Sequence, residues 1–140
     1  MWSRFRLGYR GHPSPLEHGQ TGPFAWCRAT HDAYRRIGVP VVGRWLACHK
    51  QRPWLCVDWA EGTGLHELTT RLHLAPDMVV TLESPQTACL QIGERTLHVQ
   101  SLTTAEFVIE KGWYCPDFGV RQETSVLKLT ATCQMPGYIG

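Results

Sequence analysis

The chain lacks the features that mark several large classes of protein. No apolar run approaches the roughly 18 residues that a membrane span requires. The N-terminal stretch MWSRFRLGYRG has no apolar segment of the kind found in secretory signals, and it is typical of a chain that enters in the middle of a fold. A net charge of +2 is too small to indicate a nucleic acid or an anionic membrane as the partner. The cellular compartment stays open.

Motifs for catalysis and for tight ligand binding are also missing. There is no Gly-x-Ser-x-Gly elbow, no glycine-rich phosphate loop and no Cys-x-x-Cys pair. Cys48 and His49 are adjacent, so in a strand they point to opposite faces and cannot act as nucleophile and base. On residue chemistry alone the chain does not look like a complete enzyme, and we expect no metal and no cofactor.

Six cysteines are present, at positions 27, 48, 56, 89, 115 and 133. An even number allows a disulfide framework, but no secretion signal accompanies them. Cys48, Cys56, Cys89 and Cys133 lie inside strand-like runs, where a free thiol behaves as a small apolar side chain. Reduced, packed cysteine is therefore the favoured interpretation, and Cys115 is the cysteine most expected to be exposed.

The dominant pattern in the sequence is an alternation of apolar and polar residues. In residues 64–75, GLHELTTRLHLA, apolar and polar side chains fall on opposite faces, as in a strand with one wet side. Residues 41–49 and 53–60 flank the turn-rich link KQRP and predict a hairpin. Four further strand-like runs follow: TACLQIG, TLHVQ, AEFVIE and SVLKLTATC.

No window carries a helical stripe of 3.6-residue period, and residues 10–23, rich in proline and glycine, predict a long surface loop. Residues 1–140 are therefore predicted to form a single all-β domain, an antiparallel β-sandwich or barrel with little helix. The predicted core consists of Leu55, Val57, Trp59, Leu68, Leu72, Leu74, Phe107, Ile109, Leu127 and Leu129.

The histidines form no obvious metal site. His66 and His73 are seven residues apart on one predicted strand and so face opposite sides; His66, on the apolar side, is expected to be a core histidine. The segment THDAYRR, residues 30–36, holds more acid–base groups, because His31, Asp32 and Tyr34 offer acid, base and orienting groups within a few residues. A polar turn in which Asp32 caps local backbone groups is the favoured alternative.

The stretch EKGWYCPDFGVRQE, residues 110–123, holds the most unusual cluster of aromatic residues. Trp113 and Tyr114 could stack on the apolar face of a sugar ring. Alternatively, they fill the edge of the sandwich while Pro116 and Gly119 turn the chain. Packing is the favoured interpretation for Trp113 and Tyr114. The two residues are nevertheless retained, with His31 and Tyr34, as candidate contacts to carbohydrate.

Four stretches together carry a resemblance to a known family. MWSRFRLGYRG, THDAYRRIGVPVV, WLCVDWAEGTGLHELTTRLHLAP and EKGWYCPDFGVRQE occur in the same order in the C-terminal β-sandwich region of bacterial heparinase II/III-like polysaccharide lyases. The resemblance spans residues 1 to about 135. It implies a supersandwich-like fold that follows an α/α toroid and a catalytic β-layer, in an enzyme that cleaves acidic polysaccharides by β-elimination.

In that family, catalytic and zinc-binding residues come from the toroid and from His-x-His-Ala-Asp, Val-Asp-Pro-Gly and His-Asn-Thr segments. None of these segments occurs in this sequence, which in family order begins just after the last of them. No catalytic or metal residue is therefore carried over. In the family the aromatic stretch resembles a structural corner far from the catalytic cleft.

Three hypotheses of function follow. The leading one is the distal β-sandwich part of such a lyase, a fragment or a separately encoded piece, which supports the enzyme and its polysaccharide cleft without being catalytic by itself. The second is a self-standing carbohydrate-binding module with Trp113, Tyr114, Trp26 or Trp45 as its platform. The third is an interaction domain that associates, with itself or another chain, through an exposed sheet edge.

Overall fold

The computed structural model describes residues 10–50 and 52–140. Most of the N-terminal stretch MWSRFRLGYRG, and Gln51 in the KQRP link, lie outside the described residues. None of the described residues belongs to a helix that is long and apolar enough to cross a membrane.

The described residues form eleven strands and one 3-10 turn, Arg35–Ile37. The strands are β1 (Glu17–Thr21), β2 (Phe24–His31), β3 (Val41–His49), β4 (Arg52–Glu61), β5 (Leu65–His73), β6 (Val79–Ser84), β7 (Thr87–Ile92), β8 (Arg95–Gln100), β9 (Glu106–Tyr114), β10 (Gln122–Gln134) and β11 (Gly137–Ile139). They build three sheets, with strand orders β1-β2-β3-β4-β11, β5-β10-β9 and β6-β7-β8. The predicted all-β, antiparallel architecture is confirmed.

The chain divides into two compact units. The first comprises the described residues up to His66 together with Thr132–Tyr138, and the second comprises Glu67–Ala131 together with Ile139–Gly140.

The first unit is built on successive antiparallel hairpins. The hairpin predicted across KQRP is confirmed, since Val41–His49 pairs with Arg52–Glu61. Arg44 and Asp58 lie opposite each other in this register and form a bidentate ion pair, at 2.6 and 2.7 Å. On the neighbouring pair of positions, the Trp59 ring lies directly over Gly43, so the absence of a side chain at Gly43 creates the space that the indole fills.

The second unit is a sandwich around one apolar layer. Its buried cluster combines side chains of both three-stranded sheets with Ala105, just before β9, and Ile139, on β11. The members are Ala88, Ala105, Phe107, Leu127, Leu129 and Ile139, with Leu68, Leu72, Val80, Val99 and Ala131 packed against them. Burial of Leu74, Phe107, Leu127 and Leu129 confirms four of the predicted core positions. Five others are half-buried: Leu55, Val57, Trp59, Leu68 and Leu72.

Two predictions about packing and loops are wrong. Ile109 is 39% exposed because it lines a surface groove, although its cross-strand partner Leu127 is buried and alternation places it on the same face as Phe107. The predicted loop over residues 10–23 contains a strand, β1, which pairs along its length with β2. Gly19 in that strand accommodates the Trp26 ring, and Glu17 binds Arg28 at 2.7 Å, so cross-strand contacts override the loop-like composition.

Candidate functional site

The aromatic stretch forms the end of strand β9 and the bend that follows it. Strand β9 ends at Tyr114, before Pro116, which has no N–H to donate to a ladder. Asp117 then holds a turn, because its side chain accepts the Phe118 N–H at 2.7 Å and its carbonyl accepts the Val120 N–H at 3.2 Å. Gly119 adopts a φ of 77°, a conformation that favours glycine. The predicted turning role of Pro116 and Gly119 is confirmed.

Trp113 and Tyr114, next to this bend, are neither buried nor fully exposed. Their exposures are 49% and 47%, and as neighbours on a strand they point to opposite faces. The Arg121 guanidinium lies 3.9 Å from the centroid of the Trp113 ring, a cation–π contact that orders the indole. The favoured interpretation, that the two residues fill the edge of the sandwich, is therefore too strong, because about half of each residue's surface remains exposed.

A groove of about 360 Å³ lies on the same ribbon of strands. Its walls are Pro76, Met78, Ile109, Glu110, Lys111, Glu123, Thr124 and Ser125. Trp113 follows Ile109 and Lys111 on one face of β9 by alternation, and its cross-strand partner is Glu123. The half-exposed indole therefore continues the line of side chains that walls the groove.

Charges of both signs line this groove. Lys111 binds Glu123 at 3.0 Å, while Glu110 binds Lys128 at 2.9 Å and Arg71 at 3.6 Å. The hydrogen bond from Lys128 holds the pKa of Glu110 below its usual value, and the nearby positive charges of Lys128 and Arg71 act in the same direction. The carboxylate therefore stays ionised to lower pH and ties together β5, β9 and β10.

The second predicted group, His31 and Tyr34, lies in the first unit. Their rings are 5.7 Å apart, but the Nδ1 atom of His31 accepts the backbone N–H of Ala33 at 3.2 Å. Asp32 accepts the His12 backbone N–H at 2.7 Å, and this bond is the main reason that the pKa of Asp32 is lowered. The predicted polar turn is present, since the Asp32 carbonyl accepts the Arg35 N–H at 3.1 Å, but the backbone group that the Asp32 side chain caps is that of His12, 20 residues away, and not a local one. The turn leads into Arg35–Ile37, and the contribution of His31 and Tyr34 to sugar binding stays a prediction.

The other candidates from the sequence are two tryptophans, a histidine and the cysteines. Trp26 and Trp45 are half-buried in the five-stranded sheet, and the ring of His66 contacts the Thr63 carbonyl oxygen at 3.0 Å. Cys115 is the exposed cysteine, as predicted, and the other five are half-buried free thiols. Sequence reasoning missed Arg121 and the groove. The alternation Ile109-Lys111-Trp113 indicates that these side chains share a face, but the approach of Pro76 and Met78 is a tertiary contact with no local pattern.

Comparisons with known proteins place this architecture in a family. The chain matches the family model "Heparinase II/III-like, C-terminal" over residues 1–134. The crystal structure of heparan sulfate lyase HepC from Pedobacter heparinus is similar, with a TM-score of 0.75 and 13% identity, as is that of a HepC mutant. Each similarity covers 90% of this chain and 20% of the lyase, so the chain spans about a fifth of those proteins. No curated protein sequence matches it. The chain belongs to the heparinase II/III-like family, in which it corresponds to the C-terminal region.

Proposed function

We propose that this chain serves as the distal β-sandwich of a lyase acting on acidic polysaccharides, where it supports the catalytic part and one wall of the substrate cleft. The family match over residues 1–134 carries the proposal. The acidic polysaccharide and the toroid and catalytic β-layer are the partners that this role requires. A domain of this kind contributes by holding its neighbours and substrate in position rather than by bond breaking.

The chain is proposed to be inactive by itself for a chemical reason. β-Elimination on a uronate needs a group that neutralises the carboxylate, a base for the C5 proton and an acid for the leaving oxygen. The family's segments that supply these groups are absent from the sequence, as are the segments that supply its zinc ligands. The residues present therefore do not fit the family's metal site, and no catalytic step is assigned to them.

Incubation of the purified 140-residue chain with heparan sulfate, hyaluronan or alginate tests this proposal. We expect no increase in the ultraviolet absorbance of the unsaturated uronate product above a no-protein control. His31→Ala and Tyr34→Phe variants serve as matched controls for the one acid–base candidate in the first unit. Turnover by the wild-type chain that either substitution abolishes would contradict the proposal and make the turn an active site.

A second candidate function, binding of carbohydrate without cleavage, rests on a different observation. The half-exposed Trp113 and Tyr114 at the end of β9, with Arg121 stacked on Trp113, combine a surface for a pyranose ring with a cation for a carboxylate or sulfate. A buried corner needs neither feature. The two functions do not exclude each other.

A further inference from the structure

Three side chains with metal-binding chemistry converge on the outward face of the sheet β6-β7-β8. Cys89 on β7 lies directly opposite His98 on β8 and Thr81 on β6, so these residues share one face. Glu83 lies two residues beyond Thr81, at a bulge between Leu82 and Ser84. Bulges bend a strand and redirect its side chains. One ligand atom from each of Glu83, Cys89 and His98 lies within 4.8 Å of the other two.

The separations are close to those of a tetrahedral zinc site. Nitrogen and oxygen ligands at 2.0–2.1 Å from zinc lie about 3.3 Å apart, and a sulfur ligand lies about 3.6 Å from either of them. The Nδ1 atom of His98 is 3.2 Å from Oε2 of Glu83. This pair therefore already has the spacing of two ligands, and the Cys89 sulfur needs to approach by about 1.2 Å at most. A rotation of exposed side chains achieves such a shift without moving the strands.

The donor set also selects the metal. A thiolate and an imidazole favour zinc over magnesium or calcium, which prefer oxygen ligands only. An ionised Cys89 and Glu83 balance the charge of a divalent ion, while a neutral His98 supplies the third bond. Three ligands leave a fourth position for water. All three side chains are accessible, since Glu83 and His98 are exposed and Cys89 is half-buried.

We propose that Glu83, Cys89 and His98 form a Zn²⁺ site that links strands β6, β7 and β8. The site is independent of the polysaccharide function, because it uses none of the groove residues and none of the family's zinc-binding segments. On binding, the Cys89 thiol loses its proton to solvent, so affinity for the metal falls as the pH is lowered.

Titration of the reduced chain with Co²⁺ tests the site, because a cysteine ligand produces a thiolate-to-cobalt charge-transfer band. We expect one Co²⁺ per chain, with tetrahedral visible bands that Zn²⁺ abolishes. Cys89→Ser should remove the charge-transfer band, and Glu83→Gln and His98→Gln should each weaken binding at least about tenfold, because even the loss of an outer-shell partner has that effect. Cys115→Ser and His18→Gln are the matched controls, since both residues are exposed.

Thermal unfolding gives a second measurement. Zn²⁺ should raise the melting temperature of the wild type and of both controls, since a ligand that binds the folded state stabilises it. Zn²⁺ should not raise the melting temperature of the Cys89→Ser chain. The proposal is overturned if the wild type shows no thiolate band, or if Cys89→Ser binds Co²⁺ as the wild type does. The outcome of the lyase assay does not affect the zinc proposal. The zinc site and the proposed function can therefore be refuted independently.

Discussion

The exposure of Trp113 bears on whether this residue stabilises the fold or contacts a ligand. Its ring is half-exposed and stacks on Arg121, so it contributes less to folding than a buried aromatic and more than a surface one. Burying half of a large apolar side chain contributes roughly 1 kcal/mol. The cation–π contact adds about 0.5–1 kcal/mol at an exposed site.

We therefore expect Trp113→Ala to lower the free energy of unfolding by about 1–2 kcal/mol, as measured by urea denaturation. Phe118→Ala, at a fully exposed position in the same bend, is the control and should change stability by less than about 0.5 kcal/mol. A loss of about 3–5 kcal/mol would mean that Trp113 is a buried core residue after all.

Gly43 is a second position at which a single residue sets the packing. A β-carbon there would overlap the Trp59 ring, which is half-buried and must move away. We expect Gly43→Ala to destabilise the fold by about 1–3 kcal/mol, the usual effect of overpacking. In a Trp59→Leu background the same substitution should be less harmful by at least about 0.5 kcal/mol. Equal effects in both backgrounds would show that the indole is not the cause.

At the scale of strands, local alternation predicted most of the sheet elements. The hairpin of β3 and β4 and the strands β5, β7, β8, β9 and β10 were predicted because their side chains alternate over four or more residues. The strand β1 was not, because its sequence EHGQT has no apolar face, and only pairing with β2 makes it a strand. The residues of β6, Val79–Ser84, were not singled out either.

The candidate site was predictable only in part for the same reason. Trp113 and Tyr114 stand out by composition, and Pro116 and Gly119 mark the bend by their backbone requirements. The cluster of Glu83, Cys89 and His98 has spacings of six and nine residues, which match no short metal motif. Its members meet only through the register of three strands and a bulge, and neither can be derived from local pattern.

Glu110 connects three strands, and its titration should be visible in the stability of the chain. Because its pKa is lowered on folding, the ionised group stabilises the fold above the ordinary value of 4.5, and this contribution is lost as the pH falls through the lower folded pKa. We expect Glu110→Gln to lower the urea midpoint at about pH 7 and to have a smaller effect at about pH 3.

The control for this experiment is Glu94→Gln, at an exposed position in the turn between β7 and β8. Its midpoint should follow that of the wild type at both pH values. A Glu110→Gln chain that loses as much stability in acid as at neutral pH would show that the side chain acts by shape and not by charge.

At the scale of the whole molecule, a net charge of +2 gives little long-range attraction for an acidic polysaccharide. Any recognition of a glycan must therefore come from local groups. In the second unit these are the line of Ile109, Lys111 and Trp113 along the groove and the guanidinium on the Trp113 ring. Lys111 already binds Glu123, which lowers its value as a contact for a sulfate.

Under the second proposed function, binding of carbohydrate, this difference between Lys111 and Arg121 predicts an order of effects on affinity. Arg121 has no carboxylate within ion-pair distance among the described residues, whereas Lys111 has one at 3.0 Å. We expect Arg121→Gln to weaken binding of a heparan sulfate oligosaccharide up to about fivefold, as for an exposed charge pair, and Lys111→Gln to change it less. Trp113→Ala should weaken binding more than either, because it removes both the ring and the surface that orders Arg121.

Calorimetric titration at two salt concentrations measures these affinities. Binding should weaken at higher salt, where the screening length falls below about 8 Å. Affinity that Trp113→Ala leaves unchanged while the fold stays intact would exclude the bend as a glycan contact and assign it to architecture alone.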